Sequence, residues 1–216
     1  MTSAAGTMAR MIAVTIVMAL GMSTLPGCAL LSAARVDTQT FTLDPPAPDM
    51  RQAAHCAAET LLVFPPQAQA TYDTTQMAYT TQAHRVAFFS RHEWADTPSR
   101  MLLPVLVRAL QDTHCFSAVV TPPYAEHYTH ALHTDLVELL QDFTSQPATL
   151  RLVLRVHLSD DVAGSTIASR ELVLSEPLSQ GTPEAGVVAA NKAAARALQE
   201  VVVFVLTATS SATYRP

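Results

Sequence analysis

The 216-residue chain is poor in charge, in glycine and above all in lysine. Charged residues make up 14% of it against 49% apolar residues, which excludes an intrinsically disordered protein and a charged coiled coil. Lys192 is the one lysine, and 13 basic residues stand against 18 acidic ones. That balance excludes the basic surface a nucleic-acid partner requires. Of six glycines, only Gly164, Gly181 and Gly186 follow residue 27. They are too few for a glycine-rich phosphate cradle, and no P-loop, dinucleotide fingerprint or G-x-S-x-G elbow occurs. The three cysteines, Cys28, Cys56 and Cys115, form no C-x-x-C pair, and no H-E-x-x-H is present, which removes the strongest zinc signatures. No catalytic residue, metal site or cofactor is expected.

What is present begins with hydrophobicity. The mean hydropathy is +0.21, and part of it lies in Met11–Met22, twelve uncharged residues after Arg10. A basic residue before a short apolar run reads as a secretory signal, too short to span a bilayer. It ends in Leu25-Pro26-Gly27-Cys28, which resembles a bacterial lipobox; Pro26 is unusual there, and Gly27 is the small residue beside the cut. Cleavage before Cys28 removes 27 residues and Arg10, leaving 189 residues with 12 basic and 18 acidic side chains, a formal charge of −6. Two or more acyl chains on Cys28 give durable attachment, since each buried methylene contributes about 0.8 kcal/mol. Ala29 rather than aspartate follows Cys28, which favours export to the outer membrane. Residues 28–38 then form a lipidated N-terminus and tether. Its nine residues Ala29–Asp37 reach at most about 30 Å, so the domain sits close to its membrane on the periplasmic face.

The oxidising periplasm permits a disulfide between Cys56 and Cys115. Such a bridge closes a loop of about 60 residues and stabilises by roughly 4 kcal/mol; the alternative is two buried thiols.

Along the remaining chain the elements alternate. Thr38–Leu43 and Thr60–Phe64 read as strands stopped by prolines. Gln76–Tyr79 and Arg85–Phe89 read as a hairpin. Thr97-Pro98 starts a helix striped by Met101, Leu102, Val105, Leu106, Ala109 and Leu110, with Pro104 expected to bend it. Phe116–Thr121 reads as a strand. Leu132, Leu136, Leu139, Leu140 and Phe143 have helical spacing. Leu150–Leu158 alternates strictly and pairs with Ile167–Ser175 as a hairpin. Thr182-Pro183 starts a last helix, with Val187, Val188, Ala194, Ala195, Leu198, Val201, Val202 and Val205 as its apolar stripe. Its polar face carries too few basic residues for a membrane-surface helix, so the stripe packs on the sheet. Residues 39–208 thus make one domain, with 209–216 a polar, frayed tail. The fold class expected is α/β: a mixed, largely antiparallel sheet packed by two main helices.

His127, His130 and His133 recur every three residues beside Asp135. Without further ligand spacing they read as a solvated loop. Glu138 and Asp142 read as ordinary surface carboxylates. Trp94 reads as a staple for the chain entering the first helix.

Several of these stretches together resemble a family, the ABC-type transport auxiliary lipoproteins, to which the Pqi-system outer-membrane lipoprotein belongs. The stretches are the lipobox at Cys28, Phe41-Thr42-Leu43, Tyr72-Asp73, Met77-Ala78-Tyr79, Trp94-Ala95-Asp96-Thr97-Pro98 and Met101-Leu102. Phe116, Val119, Asp142-Phe143, Leu150–Leu158 and Val187-Val188-Ala189-Ala190-Asn191 complete the likeness, which spans about residues 25–206. The resemblance implies that Leu132–Phe143 is a strand, against its periodicity. It also implies a non-enzymatic part in a machine of ABC ATPase, permease and MCE-domain protein. Such a machine moves lipids or other hydrophobic molecules between the inner and outer membranes and supports envelope integrity. The lipoprotein would hold its outer-membrane end, as a possible homo-oligomer. A lipid-anchored hydrolase and a lipid-binding shuttle are the alternatives.

Overall fold

A computed structural model describes residues 37–46, 59–123, 127–161 and 164–212. Nine strands and two helices are defined there. They are β1 (Gln39–Phe41), β2 (Thr60–Val63), β3 (Gln67–Ala68), β4 (Gln76–Thr80), β5 (Ala87–Trp94) and α1 (Pro98–Gln111). Then come β6 (Ala118–Val120), β7 (His130–Asp142), β8 (Thr149–Asp160), β9 (Ser165–Pro177) and α2 (Pro183–Ala212). All nine strands join one open mixed sheet, so the expected α/β single domain is what the chain forms.

β7 organises the sheet. Along one side it pairs with β8 antiparallel from end to end, and β8 pairs with β9 in the same way. Along the other side it receives three short parallel strands in turn. β2 lies against 130–132, β3 against 135–136 and β4 against 141–142. β2 then pairs parallel with β6, and β4 pairs antiparallel with β5, which takes β1 parallel at its far edge. The long pairings are antiparallel and the parallel ones are short.

The helical spacing in β7 has a specific cause. Leu132, Thr134 and Leu136 are buried with strand period 2. The register with β8 then slips between Leu136 and Glu138, which leaves Val137 as a bulge. One extra residue flips the parity, so Leu139 and Gln141 return to the buried face opposite Leu152 and Leu150. A spacing of three between Leu136 and Leu139 is therefore a bulged strand and not a helical turn.

α1 buries Leu102, Val105, Leu106, Ala109 and Leu110 as its stripe requires, while Met101 is only half-buried. The helix continues through Pro104, which sits on the exposed side, where water can bond the carbonyl it leaves free. Thr97 occupies the N-cap without a side-chain cap bond; its hydroxyl instead meets that of Ser99 at 3.2 Å. At α2 the device works as expected, since Thr182 Oγ1 accepts from the Ala185 N–H at 3.3 Å.

α2 packs on β8 and β9. It is long and apolar enough to cross a membrane by length and composition, yet half of that stretch is buried inside the fold. Its buried face changes in size along its length: Gly186, then Ala189, Ala190, Ala193, Ala194 and Ala197, then Leu198, Val201, Val202 and Val205. Val188 departs from the expected stripe and is 56% exposed. The helix also runs past Ala208. Thr209, Ser210 and Ser211 are helical, and their hydroxyls donate back to carbonyls one turn earlier, so this part of the tail is ordered.

Candidate functional site

The expected lipid attachment point, Cys28, lies outside the described residues, as does Cys56. The path from the expected tether into the fold is described from Asp37 onward. β1 joins the sheet beside the end of β5, with Phe41 opposite Trp94, and Ala95 donates to the Phe41 carbonyl at 2.7 Å. Trp94 is buried in the core, and its backbone N–H donates to the Thr75 carbonyl at 2.7 Å. The segment after β1 is clamped to α2 by Asn191. Its Oδ1 accepts from the Asp44 N–H at 2.7 Å, and its Nδ2 donates to the Thr42 carbonyl at 3.2 Å. One helix side chain thus ties the chain that leads to the tether onto the helix spanning the domain. Asn191→Ala loses both bonds and is expected to cost about 1–2 kcal/mol in chemical denaturation, because both lie at the surface. An unchanged midpoint would refute the clamp.

Cys115 is 3% exposed and disulfide-bonded. Thr113 beside it closes the end of α1, donating its hydroxyl to the Leu110 carbonyl at 2.6 Å and accepting from the Cys115 N–H at 3.3 Å.

The histidines correct the solvated-loop expectation. His127 is exposed ahead of β7, but His130 and His133 lie within that strand. His130 is 2% exposed, and its Nε2 lies 2.7 Å from Glu59 Oε2, an ion-pair geometry beside the β2 start; its Nδ1 has no partner. His133 is on the opposite, exposed face, stacked on Phe64 with ring centroids 4.3 Å apart. His157 is its cross-strand partner, and Asp135 reaches His157 at 3.9 Å. No group of three His, Cys, Asp or Glu side chains that could hold a metal occurs among the described residues.

Partial burial, then the neighbouring His157, hold the His133 pKa below its ordinary value, with Asp135 opposing. The sign follows from linkage. On acidification the unfolded chain takes up this proton first, so stability falls as pH drops through about 6.5 toward the lower folded value. The melting temperature is expected to decline between pH 7.5 and 5.5, and less steeply in His133→Gln. Equal slopes in the two proteins would exclude His133 as a source.

Glu138 is also more than surface decoration. Burial pushes its carboxyl above the usual range, while Arg151 at 3.2 Å draws it down and Asp142 raises it. Asp142 itself caps the following turn through Thr144.

Two surface features escaped the sequence. The first is an aromatic cluster at the α2 N-terminus. Tyr79 stacks on Phe89 at 4.3 Å, Phe143 meets both rings edge-on, and Phe89 meets His92 at 5.9 Å. His92 also lies over Phe41 and bonds Glu184 at 3.1 Å. The cluster exists because β5 carries extra residues between Phe88 and Glu93 relative to β4, which lets Phe89 and His92 meet although they are three apart. The second is a groove of about 540 Å³ between the start of β9 and the end of α2. Ile167, Ala168, Val203, Phe204 and Ala208 make its apolar wall, and Asp160 and Arg170 are among its polar residues.

These features define a mixed α/β domain with an aromatic cluster at one end of its long helix and an apolar groove at the other. The same fold occurs in a protein from Xanthomonas campestris, with a TM-score of 0.74 and 18% identity, covering 82% of this chain and 100% of that one. A hypothetical protein from Chlamydia trachomatis is similar at a TM-score of 0.51 and 11% identity, over 69% of this chain and 96% of that one. No curated protein matches the sequence significantly. Residues 41–202 match the family described as ABC-type transport auxiliary lipoprotein component, and the chain belongs to that family.

Proposed function

We propose that this protein is the non-enzymatic outer-membrane component of an MCE-type ABC transport system, anchored by acyl chains on Cys28 and facing the periplasm. The family match over 41–202 on a chain with a lipobox carries this reading. The domain holds the outer-membrane end of a route for lipids or other hydrophobic molecules, and the MCE-domain protein, with its permease and ATPase, is its partner. The intact lipoprotein, solubilised in mild detergent after brief cross-linking, is expected to co-purify with an MCE-domain protein. Recovery without any MCE or ABC component would sink the assignment. The groove between β9 and α2 favours a second reading, a lipid-binding shuttle. A shuttle would carry stoichiometric lipid through purification and no transporter subunit.

A further inference from the structure

We infer that β9 is the interface between two copies of this chain, joined edge to edge across a two-fold axis at Val173. The inference is independent of the transport reading. Among the described residues β9 pairs with β8 alone, so thirteen residues form a sheet edge, far longer than the three-residue edges β1 and β6. Natural sheets blunt such edges with lysine, proline, bulges or short length, and the one bulge in β9, at Ile167, lies near its start and leaves 168–177 regular. β9 has no lysine, and its only proline, Pro177, is its last residue. Its charges are already engaged within the chain: Arg170 with Glu200, Glu171 with Arg155, and Glu176 with Arg196. Val173 in the middle is 64% exposed, the most exposed large apolar residue among the described residues.

The backbone sets which residues can pair outward. Leu178 donates to the Ala148 carbonyl, so the even-numbered residues from 168 turn toward β8 and the odd ones toward the open edge. A second β9 must therefore add with odd opposite odd, which leaves only a few registers. Centring the axis on Val173 sets Val173 against its copy, Leu172 against Leu174, Glu171 against Ser175, and Arg170 against Glu176. The last pairing occurs twice and builds a row of alternating charge on the helix side, Arg196, Glu176, Arg170 and Glu200, the first two from one copy and the last two from its mate. Neighbouring registers fail. An axis at Arg170 or Glu171 opposes like charges, one at Leu172 sets Glu176 against Ala168, and one at Leu174 sets Glu176 against Leu172. Like charges directly opposite destabilise, whereas opposite ones contribute.

The helices fit the same arrangement. Strands lie about 4.8 Å apart, so a helix seated between β8 and β9 lies about 5 Å from the axis, and its copy lies about 10 Å away. That matches the spacing of packed helices, roughly 8–10 Å. Val203, 47% exposed on the β9 side of α2, faces that contact.

The test uses the full-length lipoprotein in its own membrane. Residues directly opposite in a hydrogen-bonded pair have Cα atoms about 5.5 Å apart, within disulfide reach. Val173→Cys is expected to run mostly as a dimer on a non-reducing gel, with mass spectrometry finding the two introduced thiols joined to each other. Glu171→Cys is the control, because its two copies lie four residues out of register, more than about 13 Å apart. It is expected to stay monomeric, but to cross-link when co-expressed with Ser175→Cys. Both positions are on the solvent face, so folding is not at risk. The inference is overturned if Val173→Cys stays monomeric, if it cross-links no better than Glu171→Cys, or if its mate is a different protein.

Discussion

A chain exported through a leader that signal peptidase I removes, with Cys28→Ala, is expected to leave the membrane pellet entirely and appear in the soluble periplasmic fraction. On the proposed transport role, the resistance of cells to detergent is expected to fall to that of a deletion. Its thermal unfolding is expected to match wild type within about 0.5 kcal/mol, the usual range for changes outside the packed structure. The first part follows from area. On the proposed lipidation, acyl chains on Cys28 supply the attachment once Met11–Met22 is gone, and each methylene they bury is worth about 0.8 kcal/mol. The last part follows from the fold, whose buried apolar residues, among those described, run from Leu43 to Ala208. The leader swap matters because an uncleaved native signal would itself bind lipid. Continued membrane association of this variant would mean that another surface binds the bilayer. A soluble variant with full barrier function would mean that anchoring is not its job.

Gly186→Ala is expected to destabilise the domain by about 1–3 kcal/mol, against the roughly 1 kcal/mol that alanine usually gains over glycine inside a helix. A methyl group at 186 falls within the carboxamide of Gln141, which is 2% exposed on β7. Gln141 holds its place by an Nε2 contact to the Pro183 carbonyl at 3.5 Å, and its Oε1 is buried without a partner. The clash is with the far end of the Gln141 side chain, so the cost is that of moving a buried carboxamide opposite Leu150. The partner substitution makes the claim specific. Gln141→Ala vacates the space, so the double variant is expected to recover more than about 1 kcal/mol relative to Gly186→Ala alone. Additive effects in that cycle would show that glycine is needed there for another reason.

The sequence was legible where burial is periodic and unbroken. Leu150–Leu158 alternates because both its neighbours are antiparallel strands, and α1 shows its stripe because one face meets the core. β7 was not legible from spacing, because the bulge at Val137 imitates a helical repeat; only the family resemblance pointed to a strand. The bulge in β5 hid the aromatic cluster in the same way. His130 looked like loop chemistry because its partner, Glu59, is 71 residues away, a pairing that local spacing cannot reveal. The groove also has no local signature. It is made by two elements whose facing residues, Ile167 and Val203 among them, look like ordinary strand and helix positions in isolation.

The seam along β7 has a consequence in time. β2, β3 and β4 are made first, but the strand they all lie against arrives only with residues 130–142. Until then β2 has only the short β6 to pair with and β4 only β5, although Leu61, Leu62, Val63 and Met77 are all buried in the finished domain. The hairpins β7–β8 and β8–β9 close over short loops, whereas β2 must wait for β6 and β7, Leu61 pairing with Val119 and His130 far along the chain. Folding is therefore expected to start in the C-terminal half and to recruit the N-terminal strands last. A chain that emerges N-terminus first spends its synthesis with the edges of β2 and β4 that meet β7 unpaired, and escorts in the envelope would find their grip there.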